Sequence, residues 1–147
     1  MDERVWRIYL SGEIHSDWRE QIELGVQEAG LPVVLDAPVT VHEDSDDCGV
    51  TILGKEDSVF WHDHKGALLN SVRTNTLIRN ADIVVVRFGE KYKQWNAAFD
   101  AGFAVALTEG KNIKDSIAFA NTTAGLSTTK VGTANSMPHR SEIDKLL

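Results

Sequence analysis

The feature that most constrains this chain is the apolar segment ADIVVVRFG at residues 81–89. Six of its nine residues are apolar, and they do not alternate with polar ones. This pattern is typical of a central strand that a parallel sheet buries on both faces. Parallel strands also need crossover connections, which are usually helices, so the segment predicts an α/β fold.

The first third of the chain contains the other elements that such a fold requires. VWRIYLS at 5–11 predicts a strand ended by Gly12, and residues 16–29 carry apolar side chains at helical spacing. LPVVLDAPV at 31–39 follows Gly30 and predicts a second strand. Strand, helix, glycine and strand in this order favour an α/β three-layer fold, a parallel sheet with helices on both faces.

The middle of the chain is less regular. HEDSDD at 42–47 predicts an acidic loop, and SVFWHDHKG at 58–66 predicts a loop or a frayed helix end. A helix is expected at 67–79, and another runs from Trp95 to about Leu107 after the apolar strand. The predicted buried face of that last helix carries Trp95, Ala98, Phe99, Gly102 and Ala106.

The C-terminal part has a different pattern. Asn112, with Asp115 three residues later, predicts a capped helix. STTKVGT at 127–133 is the candidate for a last strand at the edge of the sheet. Ser141 with Asp144 predicts the cap of a short terminal helix, SEIDKLL.

Length and charge limit the classes of function. A chain of 147 residues predicts one domain, residues 1–147. Its 22 acidic against 15 basic residues argue against nonspecific binding of nucleic acid or of an anionic membrane. The chain shows neither an 18-residue apolar run nor a signal peptide, and Cys48 is its only cysteine. We therefore expect a cytoplasmic protein without an intrachain disulfide.

Asp100 is the first candidate for chemistry. Ligands of such folds lie outside the carboxyl ends of the strands, here residues 11–17, 36–42 and 88–96. Asp100 lies one helical turn after Asn96, so both side chains share a face. The helix N-terminus is expected to lower the pKa of Asp100, and an ionised carboxylate there can act as a nucleophile or stabilise an oxocarbenium ion. The alternative is an Asp that merely favours a helix start.

A second cluster lies at the end of the first strand. Tyr9, Glu13, His15 and Asp17 are expected at the mouth of the crevice, with Gly12 allowing close approach of a ligand or simply turning the chain. His15 is either a surface histidine or an acid–base group. No GxGxxG motif is present, so a dinucleotide site is not supported. Arg73, alone in a mostly apolar helix, pairs with a carboxylate or with a ligand oxygen.

His62, Asp63 and His64 invite a metal site. No third and fourth ligands are evident, so a solvated loop is the favoured interpretation. Cys48 has no basic neighbour in the sequence and is expected to be a small buried or idle thiol. We expect neither a metal nor a cofactor.

The segments IYLSGEIHSDWREQI and NSVRTNTLIRNADIVVVRFGEKYKQWNAAFDAGFAVAL resemble the YtoQ family over about residues 5–107. That family is similar to nucleoside 2-deoxyribosyltransferases. The resemblance implies a flavodoxin-like, Rossmann-like sheet and chemistry on N-glycosidic bonds. Asp100, followed by Ala-Gly-Phe-Ala, occupies the place of the glutamate nucleophile of those enzymes and is one methylene shorter. Gln94 stands where they carry an aspartate that handles the base, and Glu13 replaces a proline.

The resemblance implies that Asp100 attacks the anomeric carbon of a nucleoside or nucleotide, and that Tyr9 orients its carboxylate. Gln94 and Asn96 would hold the sugar or base, and Arg73 a 5′-phosphate. Water would resolve the glycosyl-enzyme if the protein is a hydrolase. The substrate-binding set is completed by Gly12, Glu13 and His15. Because related transferases build sites across subunits, a homo-oligomer is also expected. The alternative function is a non-catalytic nucleotide- or sugar-binding module, or an engineered or fused chimera, without turnover.

Residues 99–147 resemble instead the C-terminal end of ribokinase-like sugar kinases. This suggests two α/β fragments joined inside a shared helix, with 108–147 completing the fold. A single diverged family member with a chance similarity is the alternative. The Gly-Ala-Gly-Asp loop of those kinases is missing, so phosphoryl transfer is not expected. We expect the C-terminal part to pack on the sheet and to bury Ile113, Ile117, Ala120 and Leu126.

Overall fold

The computed structural model describes residues 4–91 and 94–147. Two short segments lie outside the described part. They are residues 1–3, at the N-terminus where a signal peptide would begin, and residues 92–93, within the predicted site segment 88–96. The strands are β1 (Trp6–Gly12), β2 (Val33–Asp36) and β3 (Ile83–Arg87). The helices are α1 (Trp18–Glu28), α2 (His42–Leu53), α3 (Val59–Asn80), α4 (Trp95–Thr108), α5 (Ile113–Thr128) and α6 (Arg140–Asp144), with a 3₁₀ turn at Ala134–Ser136.

The described strands form one parallel sheet in the order β2-β1-β3. Tyr9 of the middle strand aligns with Asp36 on one side and with Val84 on the other. α3 and α4 both pack against β1, and α4 also packs against β3. The right-handed connection that is usual between parallel strands places α1 on the face opposite α3. The three-layer, flavodoxin-like α/β fold expected from the sequence is confirmed.

The prediction that residues 81–89 form the central strand is wrong. β1 is central, and β3 lies at an edge of the sheet. The side chains of β3 alternate between half-buried and exposed, with Ile83 43 % and Val85 37 % exposed. The reason is that no described segment pairs with the outer edge of β3, and the C-terminal helices pack elsewhere.

The C-terminal helices pack on α4 rather than on the sheet. Asn112 caps α5 as expected, because its Oδ1 accepts a hydrogen bond from the backbone N–H of Asp115 at 2.9 Å. Phe119 is buried with Ala106 and Ile143, a contact that the sequence analysis did not include. The approach of α5 to α4 is close, since a Cβ on Gly102 would lie 2.8 Å from Thr123 Oγ1.

The burial expected for α5 is confirmed in part. Ala120 is fully buried in a cluster with Tyr9, Ile78 and Phe103, and Ile117 and Leu126 are half-buried. The burial expected for Ile113 is wrong, because it is the first residue of the helix and is exposed.

Five other local predictions are wrong. Residues 127–133 form no strand, because α5 continues through Thr128 and Val131 is almost fully exposed. The acidic segment 42–47 is helical, since Glu43 and Asp44 lie in the first turn of α2, where the helix dipole favours negative charge.

Segment 58–66 belongs to α3, which begins at Val59. Trp95 is 54 % exposed rather than buried, because it is the first residue of α4 and lies at a cavity mouth. The terminal helix is capped by His139 with Glu142, whose Oε2 accepts a hydrogen bond of 2.8 Å from the His139 N–H, and not by Ser141 with Asp144. The N-cap lies two residues earlier than expected, because the helix begins at Arg140. No helix of the described ranges is both long and apolar enough to cross a membrane.

Candidate active site

A cavity of about 1000 Å³ opens at the carboxyl ends of the strands. Its walls are the chain after β1, the chain after β2, the middle of α3 and the first turns of α4. A parallel sheet with this topology leaves its ligand crevice at the same place. The residues proposed for the site that line this cavity are Gly12, Glu13, His15, Arg73, Gln94, Asn96 and Asp100.

Asp100 lies in the second turn of α4, on the cavity wall, and its side chain is only 9 % exposed. Ser11 Oγ donates a hydrogen bond of 2.5 Å to Asp100 Oδ2. No described residue donates to Oδ1, so one carboxylate oxygen is held and the other has no partner among the described residues. This arrangement suits a carboxylate that acts through a single oxygen.

Burial controls the charge of Asp100. It raises the pKa of this carboxyl from 3.8 to about 6, and the hydrogen bond from Ser11 opposes the rise. The expectation that the helix N-terminus would lower the pKa of Asp100 is wrong, because the cost of desolvating the charge exceeds the attraction of the dipole. A carboxyl with such a pKa gains or loses its proton close to neutral pH.

Tyr9, the second proposed catalytic residue, does not line the cavity, and neither does Asp17, which was also expected at its mouth. Its ring is fully buried against Ile78 and Phe103, and burial, followed by the nearby charge of Asp100, raises its pKa to about 12. The Thr74 hydroxyl is close enough to oppose this rise, but it is not in hydrogen-bonding geometry, and Tyr9 Oη has no partner among the described residues. Ser11 therefore contacts the Asp100 carboxylate where Tyr9 was expected to do so.

Ser11 is the site residue that the sequence analysis missed. In a strand, residues two apart face the same side, so Ser11 points toward α4 as Tyr9 does. Because it is the last full strand position before Gly12, its hydroxyl reaches the cavity wall. The signal was a small polar residue two positions after an inward-facing aromatic one at the carboxyl end of β1.

Gly12 and Glu13 shape the loop after β1. Gly12 has a φ of +106°, and a Cβ there would lie 2.0 Å from the carbonyl oxygen of Arg87. Glu13 accepts hydrogen bonds from the His15 backbone N–H and from Ser16 Oγ, and the Ser16 contact is the main reason that its pKa is lowered. The close approach that Gly12 permits is thus to a neighbouring strand, and Glu13 is covered by its own loop.

Gln94 holds the loop between β3 and α4. Its Oε1 accepts a hydrogen bond of 3.2 Å from the Gly89 N–H, and its Nε2 is 3.4 Å from the Lys91 carbonyl oxygen. Asn96 is exposed on the cavity rim, two residues further along. His15 also lines the cavity and is exposed. These side chains surround the entrance rather than the buried end.

Arg73 supplies positive charge to the cavity. It projects from the middle of α3, is exposed, and makes no ion pair or hydrogen bond with any described residue. A guanidinium without a carboxylate partner can bind two oxygens of an anion in one plane.

The segment His62–His64 lies in α3, so the expectation of a solvated loop is wrong. His62 lies between Asp47 at 3.0 Å and Asp63 at 3.2 Å, and the hydrogen bond to Asp63 is the main cause of its raised pKa. Within residues 4–91 and 94–147 no group of three or more potential ligands could hold a metal ion. Cys48 is buried, and its Sγ lies 3.2 Å from the Ser45 carbonyl oxygen.

Comparison with known proteins identifies the family of this chain. A family model described as nucleoside 2-deoxyribosyltransferase YtoQ matches residues 9–122, past the proposed join near Leu107. The Uncharacterized protein YtoQ of Bacillus subtilis (strain 168) is 43 % identical over 99 residues, which cover 67 % of each chain.

A ribokinase of the same organism is 49 % identical over 49 residues. That match covers 33 % of this chain and only 17 % of the ribokinase. A chimera therefore stays a prediction, while the resemblance to YtoQ is confirmed. The family match extends over most of the sheet and over all of α4, the helix that carries Asp100. This chain belongs to the nucleoside 2-deoxyribosyltransferase YtoQ family.

Proposed function

We propose that this protein breaks the N-glycosidic bond of a nucleoside or nucleotide, with Asp100 as the nucleophile. The observation that carries the proposal is a buried carboxylate on the cavity wall with one oxygen held by Ser11. The family name, nucleoside 2-deoxyribosyltransferase, supports the same class of substrate.

The reaction begins when Asp100 Oδ1 attacks the anomeric carbon of the sugar. A C–O bond forms as the C–N bond breaks, and the electron pair of that bond leaves with the base, which takes a proton from solvent. Water then attacks the same carbon as the C–O bond to Asp100 breaks, and it gives its second proton to solvent, so that free sugar is released and the carboxylate is restored. A second base that attacks in place of water, and likewise loses its proton to solvent, gives transfer. Throughout both steps Ser11 Oγ donates to Oδ2, which becomes the carbonyl oxygen of the glycosyl ester.

Attack requires an ionised Asp100. With a pKa of about 6, roughly nine-tenths of the carboxyl is ionised at pH 7. The hydrogen bond from Ser11 favours the charged form and opposes the desolvation that disfavours it. We therefore assign Ser11 the role of positioning the nucleophile and keeping it charged.

The rim residues would hold the rest of the substrate. Arg73 carries a guanidinium without a described partner, which fits a 5′-phosphate. Asn96 and Gln94 offer amides for the sugar or base, although the Gln94 amide also joins the loop before α4. His15 lines the cavity and is exposed, so it would contact a part of the substrate near solvent.

The test is release of free base from nucleosides, deoxynucleosides and their 5′-monophosphates, followed by chromatography. We expect the wild-type protein to release base from at least one compound and Asp100→Ala to release none. Asp57→Ala, which removes an exposed carboxylate between α2 and α3, is the matched control and should keep full activity. Equal release by wild type and Asp100→Ala would contradict the proposal.

Two further results separate the alternatives. If the folded wild-type protein releases no base but binds a nucleotide in calorimetry, it is a binding module without turnover. If it is active, Ser11→Ala should move the acidic limb of the rate profile above pH 6, because the ionised form loses its hydrogen bond. If the acidic limb of the profile stays at the same pH and only the rate falls, Ser11 contributes packing and does not keep Asp100 charged.

A further inference from the structure

The outer edge of β3 is unpaired within the described residues. The sheet order ends at β3, so one row of its backbone N–H and C=O groups faces away from β1. Ile83 and Val85 lie on the same side of this strand and are exposed. Trp6, which is also exposed, lies on the same sheet face because Ile8 aligns with Ile83. We call β3 with the side chains of Ile83 and Val85 the β3 edge.

The chain exposes more surface than a compact monomer. Its accessible surface is 9675 Å², whereas a monomer of 16.3 kDa exposes roughly 7500 Å². The excess of roughly 2200 Å² is larger than the about 800 Å² per partner that a standard stable interface buries. The exposed area is therefore sufficient for a dimer.

The two edges of the sheet are not equivalent. β2 has four residues, follows Pro32, ends at Asp36 and is followed by Pro38. Proline has no N–H to donate, and short edges with charge resist pairing. β3 has five residues, IVVVR, with no proline and three consecutive valines, which strongly favour strand pairing.

We propose that a second copy of this chain pairs antiparallel with the β3 edge, so that two copies share a six-stranded sheet. The sequence of β3 pairs with itself about a two-fold axis at Val85, which faces the partner's Val85. Val84 then faces the partner's Val86, and Ile83 faces the apolar stem of the partner's Arg87. No two like charges oppose each other within the strand, which is what an isologous interface requires.

The exposed stripe on α3 is the competing surface for self-association. Phe60, Trp61, Leu68 and Val72 are exposed there. A helix has no unpaired backbone groups along its side, so this stripe offers apolar area alone, whereas the β3 edge offers both apolar area and hydrogen bonds. The interface at the β3 edge does not depend on the proposed function, because none of its residues lines the cavity.

The experiment is sedimentation equilibrium of the full chain and of Val85→Lys. We expect a dimer for wild type and a dissociation constant raised roughly 30-fold or more for Val85→Lys, because two like charges then face each other across the axis. Val34→Lys on the β2 edge and Leu68→Lys on α3 are matched controls at exposed positions and should remain dimeric.

A mixing experiment tests the register and excludes simple misfolding. Val85→Glu alone should also be monomeric, and an equimolar mixture of Val85→Lys and Val85→Glu should restore the dimer, because opposite charges then face each other. A monomeric wild type, a dimer that only Leu68→Lys or Val34→Lys disrupts, or a mixture that stays monomeric would each overturn the proposal.

Discussion

Replacing Asp100 with Asn should stabilise the protein at neutral pH. Asp100 is buried, and its pKa rises from 3.8 to about 6 on folding. Because the folded pKa is above the unfolded one, the folded state binds a proton between about pH 6 and pH 4 that the unfolded chain releases. The ionised carboxylate therefore costs the folded state about 3 kcal/mol above pH 6, and this cost disappears as the pH falls through that window.

Asparagine has nearly the same shape and accepts the same hydrogen bond from Ser11 Oγ, but it carries no charge to desolvate. Urea unfolding of wild type and Asp100→Asn at pH 4 and pH 8 measures the effect. We expect the stability gained by the variant to be larger at pH 8 than at pH 4 by up to about 3 kcal/mol, because only the charged carboxylate carries the desolvation cost. The amide also needs an acceptor, which lowers the gain by the same amount at both pH values. Asp57→Asn, at an exposed position, should show no such difference. A gain that does not change with pH, or one that is larger at pH 4, would refute the assignment of a raised pKa.

Three other substitutions test the fold and the cavity. Gly12→Ala should destabilise the protein by about 3 kcal/mol or more in urea, because its Cβ would lie 2.0 Å from the Arg87 carbonyl oxygen at a φ of +106°; a loss under about 0.5 kcal/mol contradicts this. Phe119→Ala should cost about 3–5 kcal/mol and speed proteolysis between residues 108 and 126, since its ring is buried with Ala106; unchanged proteolysis would mean that α5 is not held by this contact. Arg73→Gln should raise KM for a 5′-monophosphate about tenfold or more and leave KM for the free nucleoside unchanged. Equal effects on both substrates would show that Arg73 does not bind the phosphate.

The elements of the parallel sheet could be predicted because local signals agree with the final structure. Three elements combine a regular pattern of apolar residues with a residue that ends the element: the strand ended by Gly12, the helix before Gly30 and the helix at Trp95–Thr108. The wrong predictions concern segments whose burial depends on which other part of the chain packs against them. An apolar run such as residues 81–89 is consistent with a central strand, but only the packing of the chain after Thr108 decides whether a neighbour covers it.

The candidate site could be located but not fully described from the sequence. Strand ends and helix spacing are sufficient to bring Asp100 and Asn96 to one cavity. The pKa of Asp100 could not be predicted, because it depends on burial by α4 and its neighbours rather than on its position in a helix. Ser11 was not identified as its partner, since the hydrogen bond joins residues that are 89 positions apart.

The packing of α4 explains both the buried site and the open edge. Ala97, Ala98, Phe103 and Ala106 are all buried, although they point in different directions around the helix. A helix that is apolar on all sides needs partners on all sides, and here the sheet covers one side and α5 the other. If residues after Thr108 covered β3 instead, the outer side of α4 would be exposed and the helix that carries Asp100 would lose half of its support. The same contacts that desolvate the candidate nucleophile therefore leave the β3 edge available to a second copy.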